Sequence, residues 1–259
     1  AILLYEAALG LGLSVGPLLG AALGHLSWRG PFLGTSVLMA VALLLSIFLL
    51  QSDAGLPRQH IRLLDPLRAL RHRALLRTSV ASALYTAAFF TVLAWSPFVL
   101  QWGAIEVGLV FFGWGVSVAV AGVVLAPRLA ARIGDELATV LSICGYAVLM
   151  VVLALGDKTL VAVGVIVSGL ISGLLNTLLT GAAMSVSDAP RPVASAGYNV
   201  LRWAGGALAA TFVGPIAEWF GAAHAPFVVA IVLCVLAAGV LGIGLVRMRT
   251  QRTALAATD

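Results

Sequence analysis

The chain has 259 residues, 61% of them hydrophobic and 10% charged, with 15 Lys and Arg against 10 Asp and Glu and a formal net charge of +5. Its mean hydropathy of +1.10 excludes a water-soluble domain. The apolar runs are too long and too continuous for the alternating strands, about ten residues each, of a membrane barrel. A polytopic all-α membrane protein remains.

A helical span needs roughly 20 apolar residues. Eight stretches qualify: 1–26, 31–50, 78–101, 104–126, 137–155, 159–183, 193–219 and 224–246. Five of the eight contain no Asp, Glu, Lys or Arg. Twelve of the 15 basic residues lie in the links after spans two, four and six or after span eight. Basic links stay cytoplasmic, which puts the 51–77 link and the tail 247–259 inside the cell. The positive balance is therefore topogenic and calls for no nucleic acid. Trp28, Trp102 and Trp219 fall near the outer span ends, as an interfacial belt would place them.

Span one carries "GLSVGPLLG". Glycine costs about 1 kcal/mol in a helix interior and proline about 3, so this composition has a purpose. Gly12, Gly16 and Gly20 recur every four residues and share a face, while Pro17 removes a donor and bends the helix. Small residues let helices approach closely where lipid supplies no hydrophobic drive. Glu6, near the cytoplasmic start of the span, is a candidate proton carrier, or else an interfacial anchor or salt-bridge partner.

The link contains "LLDPLRALRHRALLRT". Asp65 suits an N-cap and Pro66 the first helical position. Leu67, Leu70 and Ala74 share one face, with Arg68, Arg71 and Arg73 elsewhere. The pattern reads as a short basic amphipathic helix on anionic lipid, or as a solvated linker with arginines for topology.

In span three, Ser82, Tyr85 and Phe89 share a face that either stacks an aromatic solute or packs the core. Cys144 and Cys234 read as buried apolar filler in spans five and eight. Span six carries Ser168, Ser172, Asn176 and Thr180 at intervals of four, beside Gly169 and Gly173. That stripe either hydrogen-bonds neighbouring helices or lines a water-filled path. Arg202 lies well inside span seven, after Tyr198 and Asn199 and before Gly205 and Gly206. An intramembrane cation marks a functional site by default; the alternative is that it snorkels to the surface. Glu106 and Glu218 fall near outer span ends, where they are solvated.

A loose internal repeat relates the two ends of the chain. "LYEAALGLGLSVGPLLGAALGHLSWRGPF" and "GYNVLRWAGGALAATFVGPIAEWFGAAHAPF" each hold a Tyr, a glycine-rich stretch, a Gly-Pro and a closing Pro-Phe. Gly16-Pro17 and Gly214-Pro215 are 198 positions apart, which is six spans. Parallel six-span repeats are a transporter architecture. Residues 1–50 then form the last two helices of a first bundle and 78–246 a complete second bundle. Four further helices of the same protein are expected ahead of Ala1.

The wording "GLGLSVGPLLGAALG" followed by "SWRGPF" resembles the antiporter motif of the major facilitator superfamily, found in the fifth helix of its drug:proton antiporters. Gly12, Gly16, Pro17 and Gly20 match its core, while Ala21 stands where the final glycine of a pair is usual. The resemblance extends along the chain as helices five to twelve of a twelve-helix fold of two six-helix bundles. It implies that the glycine face seals the interface between the bundles when the cavity opens inward. "GVVLAPRLAARIGDE" is similar to the family's cytoplasmic loop motif, with Arg128, Arg132 and Gly134 as remnants; Ala126 or Pro127 stands at the aspartate position.

The function expected is secondary transport: proton-coupled efflux of a small lipophilic molecule by alternating access, with no cofactor and no metal. The candidate cavity residues are Tyr85, Phe89, Ser172, Asn176, Asn199 and Arg202. Alternatives are a non-transporting scaffold or accessory subunit, or an uptake carrier of the same fold. A membrane enzyme would need clustered His, Asp or Ser-Lys groups at depth, and the four histidines lie in or beside links.

Overall fold

The computed structural model describes residues 2–49, 62–187 and 189–256, with the side chains of residues 2–7, 9–11, 13–14 and 244–256 set aside. The Glu6 side chain, link residues 51–61 and the side chains of the tail thus lie outside the described residues. Among the described residues every regular element is helical. Among these residues seven helices are long and apolar enough to cross a membrane. The helix Ile2–Leu26, α1, 25 residues long, covers the first expected span.

After α1 come α2 (Gly30–Leu49), the short α3 (Asp65–Ala69) and α4 (Arg73–Leu100). Next, α5 (Ala104–Val120) passes through a π-helical turn, Ala121–Leu125, into α6 (Ala126–Ile133). The chain then forms α7 (Asp135–Leu155), α8 (Lys158–Ser185), α9 (Arg191–Phe220) and α10 (Ala225–Ala256). Local chemistry fixes several ends. The Asp157 carboxylate accepts the Leu160 N–H at 2.8 Å and caps α8. Gly134, at φ +83°, is the single residue joining α6 to α7, a backbone conformation that L side chains rarely adopt.

Three local expectations are corrected. The segment bearing Arg128 and Arg132 is helical, not a loop, because Ala126, Leu129 and Ala130 continue an apolar face packed against Ala138 and Leu178. The π turn widens the helix just ahead of Pro127; such turns and prolines are the usual sites of bending. Leu64, not Asp65, is the N-cap of α3. The Asp65 carboxylate instead accepts from the Arg62 N–H at 2.8 Å and from Arg68 at 3.2 Å. Helix α3 ends before Leu70 and Ala74, the latter in α4, and it turns Pro66 and Ala69 partly inward beside a half-buried Leu70, whereas Leu67 is exposed. Finally, Cys234 is buried but Cys144 is exposed.

Helices α4 to α10 form one bundle, with α4 against α9 and α10, α5 against α8, and α7 between α8 and α10. Helix α1 lies along α5, and α2 packs on α1. Lipid gives no hydrophobic drive to this association, so close packing and interhelical hydrogen bonds must hold it. Glycines set the closest approaches. A methyl group at Gly169 would fall on the Trp114 carbonyl, and one at Gly173 on the Val118 carbonyl and within 2.8 Å of the Gly122 nitrogen. Thr177, one turn on, donates its hydroxyl to the Gly122 carbonyl at 3.3 Å, beside the π turn. On α9, a methyl at Gly205 would strike the Ala83 carbonyl and one at Gly206 the Phe90 ring. Gly205 and Gly206 therefore pack α9 onto α4.

Candidate functional site at mid-depth

Arg202 sits about 16 Å along α9 from Arg191, at 1.5 Å per residue. It does not snorkel to the helix end. Its Nη2 donates to Asn176 Oδ1 of α8 at 2.8 Å, and Nη1 reaches Thr180 Oγ1 at 3.5 Å. The guanidinium also lies over the rings of Trp203 and Tyr198, at 5.2 and 5.9 Å from their centroids, close enough for cation–π attraction. Its Nε is buried without a partner. Asn199, one turn earlier on the same helix, donates from Nδ2 to Ser195 Oγ at 3.4 Å and does not join the Arg202 group.

The serine-to-threonine stripe on α8 thus splits into two parts. Asn176 and Thr180 hold Arg202. Ser168 and Ser172 face the bundle core and are fully buried. Ser168 donates to the Val165 carbonyl of its own helix at 2.6 Å. The hydroxyls of Tyr85 and Tyr146 both approach Ser172 without completing a hydrogen bond.

Tyr85 and Phe89 are on one face of α4 but in different surroundings. Tyr85 is 1% exposed and meets Tyr146 edge-on at 5.3 Å, so it belongs to the core. Phe89 is half-buried and reaches Trp114 of α5 at 5.6 Å and Phe90 at 5.4 Å. Phe90 in turn meets Trp203 at 6.0 Å. A run of aromatic rings therefore leads from α5 across α4 to Trp203, which is 52% exposed and flanks Arg202. Below it, Ser82 donates to the Tyr198 hydroxyl at 2.9 Å and ties α4 to α9.

Sequence reasoning missed Trp114, Phe90 and Trp203. Each lies on a helix already assigned as a span, and aromatic residues in such a helix carry no signal that separates lipid-facing from site-facing rings. The pairing of Asn176 with Arg202 was recoverable in principle, since a cation at depth needs partners and the nearest polar stripe was on the preceding span.

The residues of the antiporter-like motif stand apart from this group. Helix α1 presents Pro17, Leu18 and Ala21 to α5, and the close approach there is made by Gly108 of α5, where a methyl would meet Ala21 Cβ at 3.1 Å. A methyl at Gly12, Gly16 or Gly20 would meet nothing within 4 Å. Arg128 and Arg132 are exposed on α6, beside Gly134.

A second feature lies at the arginine-rich end of the bundle, between α4, α7, α8 and α10. It is a cavity of about 150 Å³ that includes Arg77, Asp135, Glu136 and Thr139 in its lining. Among the described residues there is no group of three or more His, Cys, Asp or Glu side chains placed to hold a metal ion.

Comparison with known proteins agrees with the helical architecture. The Major Facilitator Superfamily profile matches residues 1–210. The chain is similar to the multidrug efflux protein YfmO of Bacillus subtilis (strain 168), with 40% identity over 224 residues. That match takes in 86% of this chain and 56% of YfmO, so the chain spans little more than half the length of that relative. A mostly helical, membrane-spanning chain matched over this much of its length belongs to the Major Facilitator Superfamily of membrane transporters.

Proposed function

We propose that this chain supplies helices five to twelve of a twelve-helix carrier that exports a small lipophilic compound in exchange for protons. The observation that carries the proposal is the polar anchor Arg202–Asn176–Thr180 at mid-depth, set beside the Phe89–Trp114 and Phe90–Trp203 aromatics. Transporter substrate sites lie near the bilayer midplane at the interface between repeats, so the Arg202 group would be the second bundle's share of such a site. The similarity to an efflux protein supports export, and the share of that protein matched supports four further helices.

In this reading α1 and α2 belong to the first bundle, 51–77 is a cytoplasmic link that rests on anionic lipid, and 78–246 is the second bundle. The arginine-rich end, with the tail 247–259, faces the cytoplasm. Phe89, Asn176, Asn199 and Arg202 border the substrate path, with Tyr85 and Ser172 as its buried support. Glu6 carries the proton. Arg128, Arg132 and Gly134 hold the cytoplasmic turn. Gly12, Gly16 and Gly20 form the face that another helix covers when the carrier alternates, as small residues at a helix interface permit, while Pro17 lies against α5 and not on that face.

The test uses everted vesicles from cells making the complete carrier. A lipophilic fluorescent dye accumulates when a proton gradient is imposed and leaks back when a protonophore collapses it. Asn176→Ala, which frees the Arg202 guanidinium from its shortest bond, lowers the initial rate about tenfold, the order expected from losing one hydrogen bond to a charged group. Flux that ignores the proton gradient would contradict the coupling. No flux at all would favour a scaffold.

A further inference from the structure

We infer that Arg202 is an anion-recognition group and that the transported compound is an amphipathic aromatic anion. The inference rests on the transport reading above and adds the charge of the substrate to it.

A guanidinium remains protonated at every physiological pH and offers five N–H donors in a planar fork. At Arg202 two of its nitrogens engage neutral oxygens, those of Asn176 and Thr180, and Nε has no partner. These bonds orient the side chain, and among the described residues no carboxylate pairs with its charge. Among the described residues the one salt bridge is Arg68–Asp65, in α3. The described carboxylates sit toward the ends of their helices or in turns: Asp135 and Glu136 begin α7, Glu106 is near the start of α5 and Glu218 near the end of α9. A cation at this depth in a membrane protein is costly unless something balances it. Neutral partners that fix its direction, without cancelling it, are the arrangement of a binding group and not of a structural ion pair.

The surroundings supply the rest of the specificity. Trp203 and Tyr198 hold the guanidinium against aromatic faces, and Trp203 continues into Phe90 and Phe89 and on to Trp114. A flat apolar body lying along these rings would place a carboxylate or sulfonate at the guanidinium, where charge-assisted bidentate contacts are strongest. A lipophilic cation in the same position would face Arg202 with like charge.

The experiment measures equilibrium binding of 2-naphthalenesulfonate and of the uncharged 2-naphthalenesulfonamide to the purified complete carrier. The sulfonate keeps its charge at all working pH values, and the two probes differ little in shape. We expect the sulfonate to bind about 10-fold or more tightly than the sulfonamide, the order of one charge-assisted contact. Arg202→Gln abolishes that preference while sulfonamide binding persists, and Arg202→Lys keeps part of it. Equal binding of the two probes by the unaltered protein would overturn the inference, and this comparison needs no variant to fold. Survival of the preference in Arg202→Gln would overturn it as well. Proton-driven dye export without a sulfonate preference would overturn the anion assignment and leave transport intact. A clear sulfonate preference in a protein that drives no flux would sustain the anion site and sink the transport reading.

Discussion

Helices α1 and α8 both carry glycines at intervals of four, and their surroundings are opposite. On α8, Gly169 and Gly173 lie against the backbone of α5, with no room for a methyl group at either. On α1, Gly12, Gly16 and Gly20 have open space where a methyl would stand. Helix α1 does pack on α5, yet it does so through Pro17, Leu18 and Ala21, on nearly the other side of the helix. The same spacing thus serves two purposes. The α8 pair closes a permanent contact, whereas the α1 set offers a surface that nothing within the described residues covers. Small residues at a spacing of four permit close approach, but only the fold says whether the approach is made.

The largest effect is expected at α8. Gly173→Leu would drive a side chain into the Val118 carbonyl and the Gly122 nitrogen, both backbone atoms that cannot swing away. Overpacking costs typically 1–3 kcal/mol and more where backbone must move, so we expect the purified carrier to melt well below the parent or to accumulate poorly. A melting temperature equal to the parent's would show that the α5–α8 contact is looser than described.

The smaller effect belongs to α1. Alanine is the better helix former by about 1 kcal/mol in a helix interior, and at Gly16 it meets nothing. Gly16→Ala is therefore expected to hold or raise the melting temperature while slowing proton-driven efflux several-fold, because the face it roughens closes during only part of the cycle. A melting temperature lowered as far as that of Gly173→Leu would remove the distinction between the two helices.

Much of the architecture was legible from the sequence, and the reason is the solvent. A bilayer forces backbone groups to bond within helices and sets the length of each span, so the apolar runs located most helix ends to within about five residues, although α10 continues to Ala256, into the stretch expected as the tail. The failures came where a second influence operated. Helix α6 continues past the expected span end because Leu129 and Ala130 have a partner surface on α7 and α8, which no hydropathy window registers. Gly134 was read as a motif remnant, and the structure adds a backbone reason for it in its positive φ. At the candidate site, Arg202 and Asn176 stood out because polar groups are rare at depth. Tyr85 and Phe89 shared a face as expected, but only helix packing placed Tyr85 in the core and Phe89 beside Trp114. Aromatic residues in an apolar helix look alike until their neighbours are known.

The most direct test of the central claim, that the Phe89–Arg202 region lines a path opened alternately to each side, is thiol accessibility at position 89. In the complete carrier, Cys144 and Cys234 would be replaced by alanine and Phe89→Cys introduced. A membrane-impermeant maleimide would then be added from one side or the other, with the proton gradient in each direction. The account predicts labelling from both sides, with the favoured side reversing when the gradient is reversed. Labelling confined to one side under both gradients, or none from either, would contradict it.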